Sequence, residues 1–357
     1  MLVLLSWVHY ISYSIMILKL KYASMSSLFI YPFLISLIIL TGIIFLSHRY
    51  TFFIDDANND KPQNYHTVST SRAGGIGVIV GLFSLLLFPL GVNFILPLVL
   101  AFLSGIFEDL HNSLSARRRL FLQVLAALSA IWLTDSVVTY LGLGVSMPYW
   151  MGILFSTFAI VGMMNAVNII DGFNGLASGI ILLILLSFAI TSYGENNIEI
   201  LQVILVTTGA TFAFFILNFP KGRIFLGDGG AYMLGFIVAI IGIFLAGTYE
   251  SVSPWYIMAI FIYPVWEVIF SIIRKLSLGH SPMQPDAYHL HMLIYRQITH
   301  NNPLTSLLII MGILPFMVLS TIYPNKSTTN IAIAFCFILC YLVLYLYLYR
   351  KETTLSQ

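Results

Sequence analysis

The chain has 357 residues, of which 59% are hydrophobic and only 8% charged, with a formal net charge of +2. A soluble domain carries roughly a quarter charged residues, so a water-soluble fold is excluded, and so small a charge without a basic tract argues against a nucleic-acid partner. Apolar runs long enough to cross a hydrocarbon core of about 30 Å must be helical, because lipid offers the backbone no hydrogen-bond partner.

In chain order, apolar spans are predicted at about 1–18, 26–47, 76–91, 93–107, 120–142, 149–166, 175–193, 198–217, 230–247, 255–272, 304–323 and 329–349. The expected fold is all-α, a polytopic transmembrane helical bundle. About eleven core spans form one integral-membrane domain over 26–350, with an extra hydrophobic segment over 1–25 and a tail over 351–357. If the spans alternate, 48–75, 108–119, 167–174, 218–229, 273–303 and the tail share one side. Those segments hold thirteen of the sixteen basic residues, and the positive-inside rule names that side cytoplasmic. Lys19 and Lys21 fall on the wrong side for this topology. The first segment therefore reads either as interfacial or as an upstream extension with Met25 as the physiological start. It has no early Lys or Arg and no small-residue cleavage site, so a cleaved signal peptide is not expected. Cys336 and Cys340 lie four apart in one apolar run, which suits a shared helix face rather than a disulfide framework or a zinc site.

Five polar clusters lie on the basic side. Ser71-Arg72-Ala73-Gly74-Gly75-Ile76-Gly77 precedes the third span. Small residues there allow close packing at a helix entry; alternatively, backbone N–H groups and Arg72 meet a phosphate. Glu108-Asp109 is followed by Arg117, Arg118 and Arg119. Interfacial anchoring explains the arginines but not the acids, whereas carboxylates beside cations suit Mg²⁺ and phosphate. In NAVNIIDGFNGLASG, Asn165, Asn168 and Asp171 recur every third residue, a drift of about 60° per step on a helix, and Asn174 follows. The stripe serves either helix packing or a cradle for the polar edges of a nucleotide or sugar. Asp228 lies between glycines in FLGDGGAY, as a helix cap or as a carboxylate that a metal-bound diphosphate can approach. The last cluster, HSPMQPDAYHLHMLIYR, holds Asp286, His289 and His291. On a helix the two imidazoles point about 160° apart, so serving one ligand requires an irregular segment; with Arg274 and Arg296 they would bind phosphate or sugar hydroxyls. Glu267, inside a span, is either functional or a structural partner of Arg274.

In order and spacing these clusters resemble the polyprenyl-phosphate N-acetylhexosamine-1-phosphate transferases, the bacterial membrane superfamily that includes phospho-MurNAc-pentapeptide translocase. The resemblance runs from about Ser26 to Tyr349. Glu108-Asp109 looks like the family's acidic pair, Asn165 to Leu176 like its NAxNxxDGxDGL motif with Asn174 in place of Asp, and Gly227-Asp228 like its GD motif. Pro285, Asp286, His289 and His291 resemble PDxxHxH of the GlcNAc-type branch. The resemblance implies a Mg²⁺-dependent enzyme, with Mn²⁺ as a substitute, in the bacterial inner membrane with its active site facing the cytoplasm. It would transfer an N-acetylhexosamine-1-phosphate, GlcNAc or a derivative, from a UDP-sugar to undecaprenyl phosphate, initiating a surface glycan such as O-antigen or teichoic acid. Catalysis is assigned to Glu108, Asp109, Asp171 and Asp228, with Asp228 as a metal ligand, Asp171 as a metal ligand or a uridine-side contact, and Asp109 either activating or orienting the lipid phosphate. Substrate binding is assigned to Arg72, Arg117, Arg119, Asn165, Asn168, Asn174, Arg274, Asp286, His289 and His291. The partners are the UDP-sugar, the lipid phosphate, the membrane and, compatibly, a second copy of the chain. The alternatives are a UDP-MurNAc-pentapeptide donor, a secondary transporter, for which most acids lie too near the helix ends, or a non-catalytic family member.

Overall fold

The computed structural model describes residues 25–50, 54–55, 70–111, 114–281 and 286–355. The expected first span over 1–18 and Pro285 of the last motif lie outside them. The architecture is all-α: α1 Met25–Tyr50, α2 Gly74–Leu82 continued by a 3₁₀ turn Phe83–Leu87, α3 Pro89–His111, α4 Ala116–Thr134, α5 Tyr149–Ile170, α6 Leu176–Gly194, α7 Ile198–Asn218 and α8 Gly227–Thr248. There follow α9 Pro254–Ile260, α10 Ile262–Ser277, α11 Leu290–Ile294 with a π-helical turn Tyr295–Thr299, α12 Asn302–Ile322 and α13 Ser327–Leu355. A two-residue antiparallel ladder, β1 Ile54–Asp55 with β2 Thr70–Ser71, pairs Ile54 with Ser71.

Each expected apolar run from 26 onward contains helix, but the run over 120–142 stops being helical at Thr134, and 135–142 are irregular. Among the described residues, eight helices are long and apolar enough to cross a membrane, nine when the bent pair α9–α10 is one span. Two of the eleven expected spans do not qualify. The segment Gly74–Leu87 is too short, and α4 carries Arg117, Arg118 and Arg119 in its first turn. The bend of 77° between α9 and α10 falls at Phe261. Pro264 follows three residues later and brings no N–H to the helical ladder, which accounts for the break.

Helix α8 is buried along almost its whole length and packs against α2, α3, α5 and α6. An all-apolar helix belongs in such a central place, and its N-terminus therefore lies where several helix ends meet. Gly75 on α2 and Gly105 on α3 permit that approach: a Cβ on Gly75 would lie 2.7 Å from the Gly230 Cα, and one on Gly105 2.3 Å from the Gly229 nitrogen. At the opposite end of the bundle Trp132, Tyr140, Tyr149, Trp150, Tyr193 and Tyr323 are exposed, an aromatic belt suited to a membrane interface.

Helix α10 is amphipathic with its polar side inward. Tyr263, Glu267, Ser271 and Lys275, four residues apart, are buried, while Ile269, Ile272, Ile273 and Leu276 are exposed. In water that pattern would be inverted; here the exposed face meets lipid.

Candidate active site

The segment before α8 is zipped to the segment before α2. The Phe225 N–H donates to the Ser71 carbonyl, and the Gly74 and Gly75 N–H groups donate to the Phe225 and Leu226 carbonyls, each at 2.8 Å. This corrects one expectation. The amides of the glycine-rich cluster are occupied by protein carbonyls, so they do not await a phosphate; the side chain of Arg72 remains the part of that cluster facing the acids.

Asp109, at the end of α3, clamps the start of α8. Its Oδ1 accepts from the Asp228 N–H at 2.9 Å and its Oδ2 from the Gly229 N–H at 3.0 Å. Backbone donors at a helix start are otherwise unpaired, and the helix dipole favours an anion there. Gly227 makes the turn at φ +75°, where a Cβ would lie 2.3 Å from the Arg72 carbonyl oxygen and 2.7 Å from Asp109 Oδ2, so only glycine fits. Asp228 is thereby held with its Oδ2 3.4 Å from Arg119 Nη1, which is 4.0 Å from Glu108 Oε2. Arg117 is exposed in the same helical turn as Arg119.

Asp171 ends α5. Burial raises its pKa well above the usual carboxylate range, the negative charges of Asp228 and Asp109 raise it further, and Arg72 opposes the rise. The three aspartates and Arg72 therefore share one electrostatic environment, although 57 to 119 residues of chain separate the acids.

The asparagines brace this site. Asn165 donates to Gln123 Oε1 at 2.9 Å and to the Val161 carbonyl at 2.8 Å, and Asn168 donates to the Tyr232 hydroxyl at 3.3 Å. Asn174 is buried in the packing behind the turn. It donates to the Pro220 carbonyl at 3.0 Å, and its own N–H donates to Asn302 Oδ1 at 2.7 Å. The expectation of an asparagine cradle is corrected to that extent: Asn174 ties two segments together. Gln123 and Tyr232 escaped the sequence reading. Tyr232 could have been found, since it lies one helical turn beyond Asp228.

In the last cluster, extended backbone at His289 (φ −74°, ψ 150°) leads into α11 and lets the His289 and His291 rings stack, with centroids 5.4 Å apart and planes within 5°. Both rings are buried. His289 Nδ1 lies 3.0 Å from Glu267 Oε1. His291 Nδ1 lies 3.3 Å from the Tyr263 hydroxyl, and its Nε2 is buried without a hydrogen-bond partner. Burial lowers its pKa to about 3, so the ring is neutral. The cations expected to meet phosphate are engaged with acids. Arg274 pairs with Asp286 at 2.9 Å, and Arg296 with Glu352 at 2.9 Å. Both guanidiniums flank Tyr288, at 5.6 and 5.8 Å from its centroid. The edge of His291 meets Phe173 at 5.4 Å, which joins this cluster to the turn that carries Asp171.

Among the described residues no three His, Cys, Asp or Glu side chains converge closely enough to cage a metal ion. Mg²⁺ seldom needs a cage, because it takes one or two carboxylates, keeps water and shares substrate phosphates. The mutual repulsion that raises the Asp171 pKa is a local excess of negative charge that a divalent cation would relieve. The donor set therefore fits such an ion.

Helix ends that gather acids, arginines and clamped backbone at one end of a multi-pass bundle define a membrane protein built for phosphate chemistry at the edge of the bilayer. A model of glycosyl transferase family 4 matches residues 92–246, which include Glu108, Asp109, Asp171 and Asp228. An undecaprenyl-phosphate alpha-N-acetylglucosaminyl 1-phosphate transferase of Thermotoga maritima is 28% identical, over 72% of this chain and 78% of its own. A decaprenyl-phosphate N-acetylglucosaminephosphotransferase of Mycobacterium leprae is 28% identical over 76% of this chain and 78% of its own. A phospho-N-acetylmuramoyl-pentapeptide-transferase of Streptococcus agalactiae is 25% identical, over 63% of this chain and 68% of its own.

Proposed function

We propose that the protein transfers N-acetylhexosamine-1-phosphate, GlcNAc or a derivative, from a UDP-sugar to undecaprenyl phosphate in the bacterial inner membrane, with the acidic end of the bundle facing the cytoplasm. The observation that carries this reading is the gathering of Asp109, Asp171 and Asp228 with Arg72 and Arg119 at one end of the helical bundle. A polyprenyl phosphate reaches that place from the bilayer and a nucleotide sugar from the water. The names of the relatives support the same acceptor and sugar.

An oxygen of the lipid phosphate attacks the sugar-bearing phosphorus of the UDP-sugar in line. A new P–O bond forms, the bond from that phosphorus to the bridging oxygen breaks, and UMP leaves with the electron pair. Phosphoryl transfer depends on positioning and charge neutralisation more than on covalent help. Asp228 and Asp171 would hold Mg²⁺, which when bound would neutralise charge on the diphosphate. Arg119 and Glu108 steady Asp228 from the side, and Asp109 fixes the helix start that aims it. Asp109 therefore works by orientation. A lipid phosphate is already largely ionised near neutral pH, so no carboxylate needs to deprotonate it. Arg72 and Arg117 offer positive charge to the incoming phosphates.

The deciding experiment follows UMP release by detergent-purified protein with undecaprenyl phosphate, Mg²⁺ and separate UDP-GlcNAc, UDP-GalNAc and UDP-MurNAc-pentapeptide. Release with UDP-GlcNAc or its epimer, lost on chelation and reduced at least about 100-fold in Asp228→Asn, is expected. Release with the muramyl donor alone would move the protein to the other branch. No release with any donor from folded protein would overturn the transferase reading.

A further inference from the structure

Glu267 is one of the few acids inside the described helices that the chemistry above leaves unused. It is 1% exposed, and an ionised carboxylate in such a place is costly unless its lone pairs are satisfied. They are. Its Oε1 lies 3.0 Å from both His289 Nδ1 and the Leu290 N–H, and its Oε2 accepts from the Tyr341 hydroxyl at 3.0 Å. Three groups on three elements converge on one side chain: His289 before α11, the first amide of α11, and Tyr341 of α13. This saturation also removes Glu267 from service as an open ion site, the role a transporter would need of an acid in a broken span.

The geometry has a direction. A carboxylate surrounded by donors accepts only, so His289 must carry its proton on Nδ1, and its Nε2 points the other way, 3.9 Å from Asp286. His289 stacks on His291, His291 meets Phe173 edge-on, and Phe173 lies two residues after Asp171 in the same turn. We propose that Glu267 is a positioning residue for the transfer reaction: it fixes the tautomer and orientation of His289 and, through the stacked imidazoles and Phe173, the placement of the Asp171 turn. It touches no substrate. Its effect reaches the reacting groups through aromatic contacts in a packed interior, which shifts as a unit when one member moves.

This inference rests on the transferase reading, so the test has one arm that needs no turnover. In nanodiscs, the ¹⁵N-histidine spectrum of wild type, with His289 assigned by its absence from His289→Asn, should show a protonated Nδ1; in Glu267→Gln that preference should weaken. An Nδ1 without its proton in wild type overturns the proposal whatever the activity. The second arm measures UMP release from UDP-GlcNAc for wild type, Glu267→Gln, His289→Asn and the double variant, per folded molecule. Each single variant should lose about 10- to 100-fold in kcat with KM for UDP-GlcNAc changed less than about threefold. The double variant should be no worse than His289→Asn alone, since residues acting as a unit are non-additive. Wild-type kcat in Glu267→Gln, or losses that multiply in the double variant, overturns the positioning role while leaving the transferase reading intact. Absence of UMP release from wild type overturns that reading, and the spectrum still decides the role of Glu267.

Discussion

Asp109 and Asp228 are acids of the same type, 119 residues apart in sequence, yet the structure gives them different work. Asp109 spends both oxygens on backbone amides of α8, whereas Asp228 projects beside Arg119 and the other acids. Their substitutions should therefore separate. Asp109→Asn replaces one acceptor with an amide donor that faces an N–H, so the cap is lost. We expect a stability loss of about 1–2 kcal/mol, visible as a lower melting temperature in detergent, together with reduced kcat. Asp228→Asn removes one of three mutually repelling charges and leaves the cap in place. Its kcat should fall at least about 100-fold with no drop in melting temperature, and a melting temperature lowered as far as in Asp109→Asn would contradict the assignment. His291 makes a prediction about pH. Its folded-state pKa is lowered to about 3 by burial, while in the unfolded chain it titrates near 6.5, so between those values the unfolded chain binds the extra proton. Stability contributed by the neutral ring is complete above about pH 6.5 and is lost as pH falls, roughly 2 kcal/mol of it by pH 5. Thermal melts at pH 7.5 and pH 5 should show this acid loss in wild type and a smaller one in His291→Phe.

At the scale of elements, the site depends on how closely α8 can approach its neighbours. A methyl group on Gly105 would lie 2.3 Å from the Gly229 nitrogen and 2.4 Å from the Asp228 carbonyl carbon, both backbone atoms that cannot rotate aside. Gly105→Ala should push α8 away from α3, costing about 1–3 kcal/mol and displacing Asp228, so melting temperature and kcat fall together. Gly162→Ala, on the lipid-facing side of α5 with nothing within 4 Å, is the control and should change neither for the worse. The helices themselves were legible in the sequence because lipid permits so little else: every run read as apolar from 26 onward holds a helix, although the run over 120–142 is helical only to Thr134. Other features were hidden. Pro264 signals a break, but a break of 77° rather than a mild kink depends on what packs around Phe261. The inward polar line of α10 has helical spacing, yet nothing local tells that Glu267 would choose His289, 22 residues on, over the nearby Arg274. The asparagines mislead for a related reason: an amide suits a sugar edge and a carbonyl of the protein equally well, and Asn174 found Pro220.

For the molecule as a whole, the functional reading requires that the acidic end of the bundle lie on the side where nucleotide sugars are made. Lys221 is exposed in the turn between α7 and α8, at the acidic end, and Ser251 is exposed between α8 and α9, at the aromatic-belted end. The length of α8 separates them, about 33 Å for its 22 residues at 1.5 Å per residue, which matches a hydrocarbon core. The native Cys336 and Cys340 sit on α13 among lipid-facing residues. Replacing both by serine leaves a background in which one introduced thiol can be read at a time. In intact bacteria a membrane-impermeant maleimide should label Ser251→Cys and spare Lys221→Cys; in inside-out vesicles the pattern should reverse. The basic side chains around the acids make the same demand, since the positive-inside rule and the supply of donor must select one orientation if the protein is to act as proposed. Labelling of Lys221→Cys from outside intact cells would place the acids where no nucleotide sugar reaches them. It would overturn the proposed reaction even if every carboxylate proved essential.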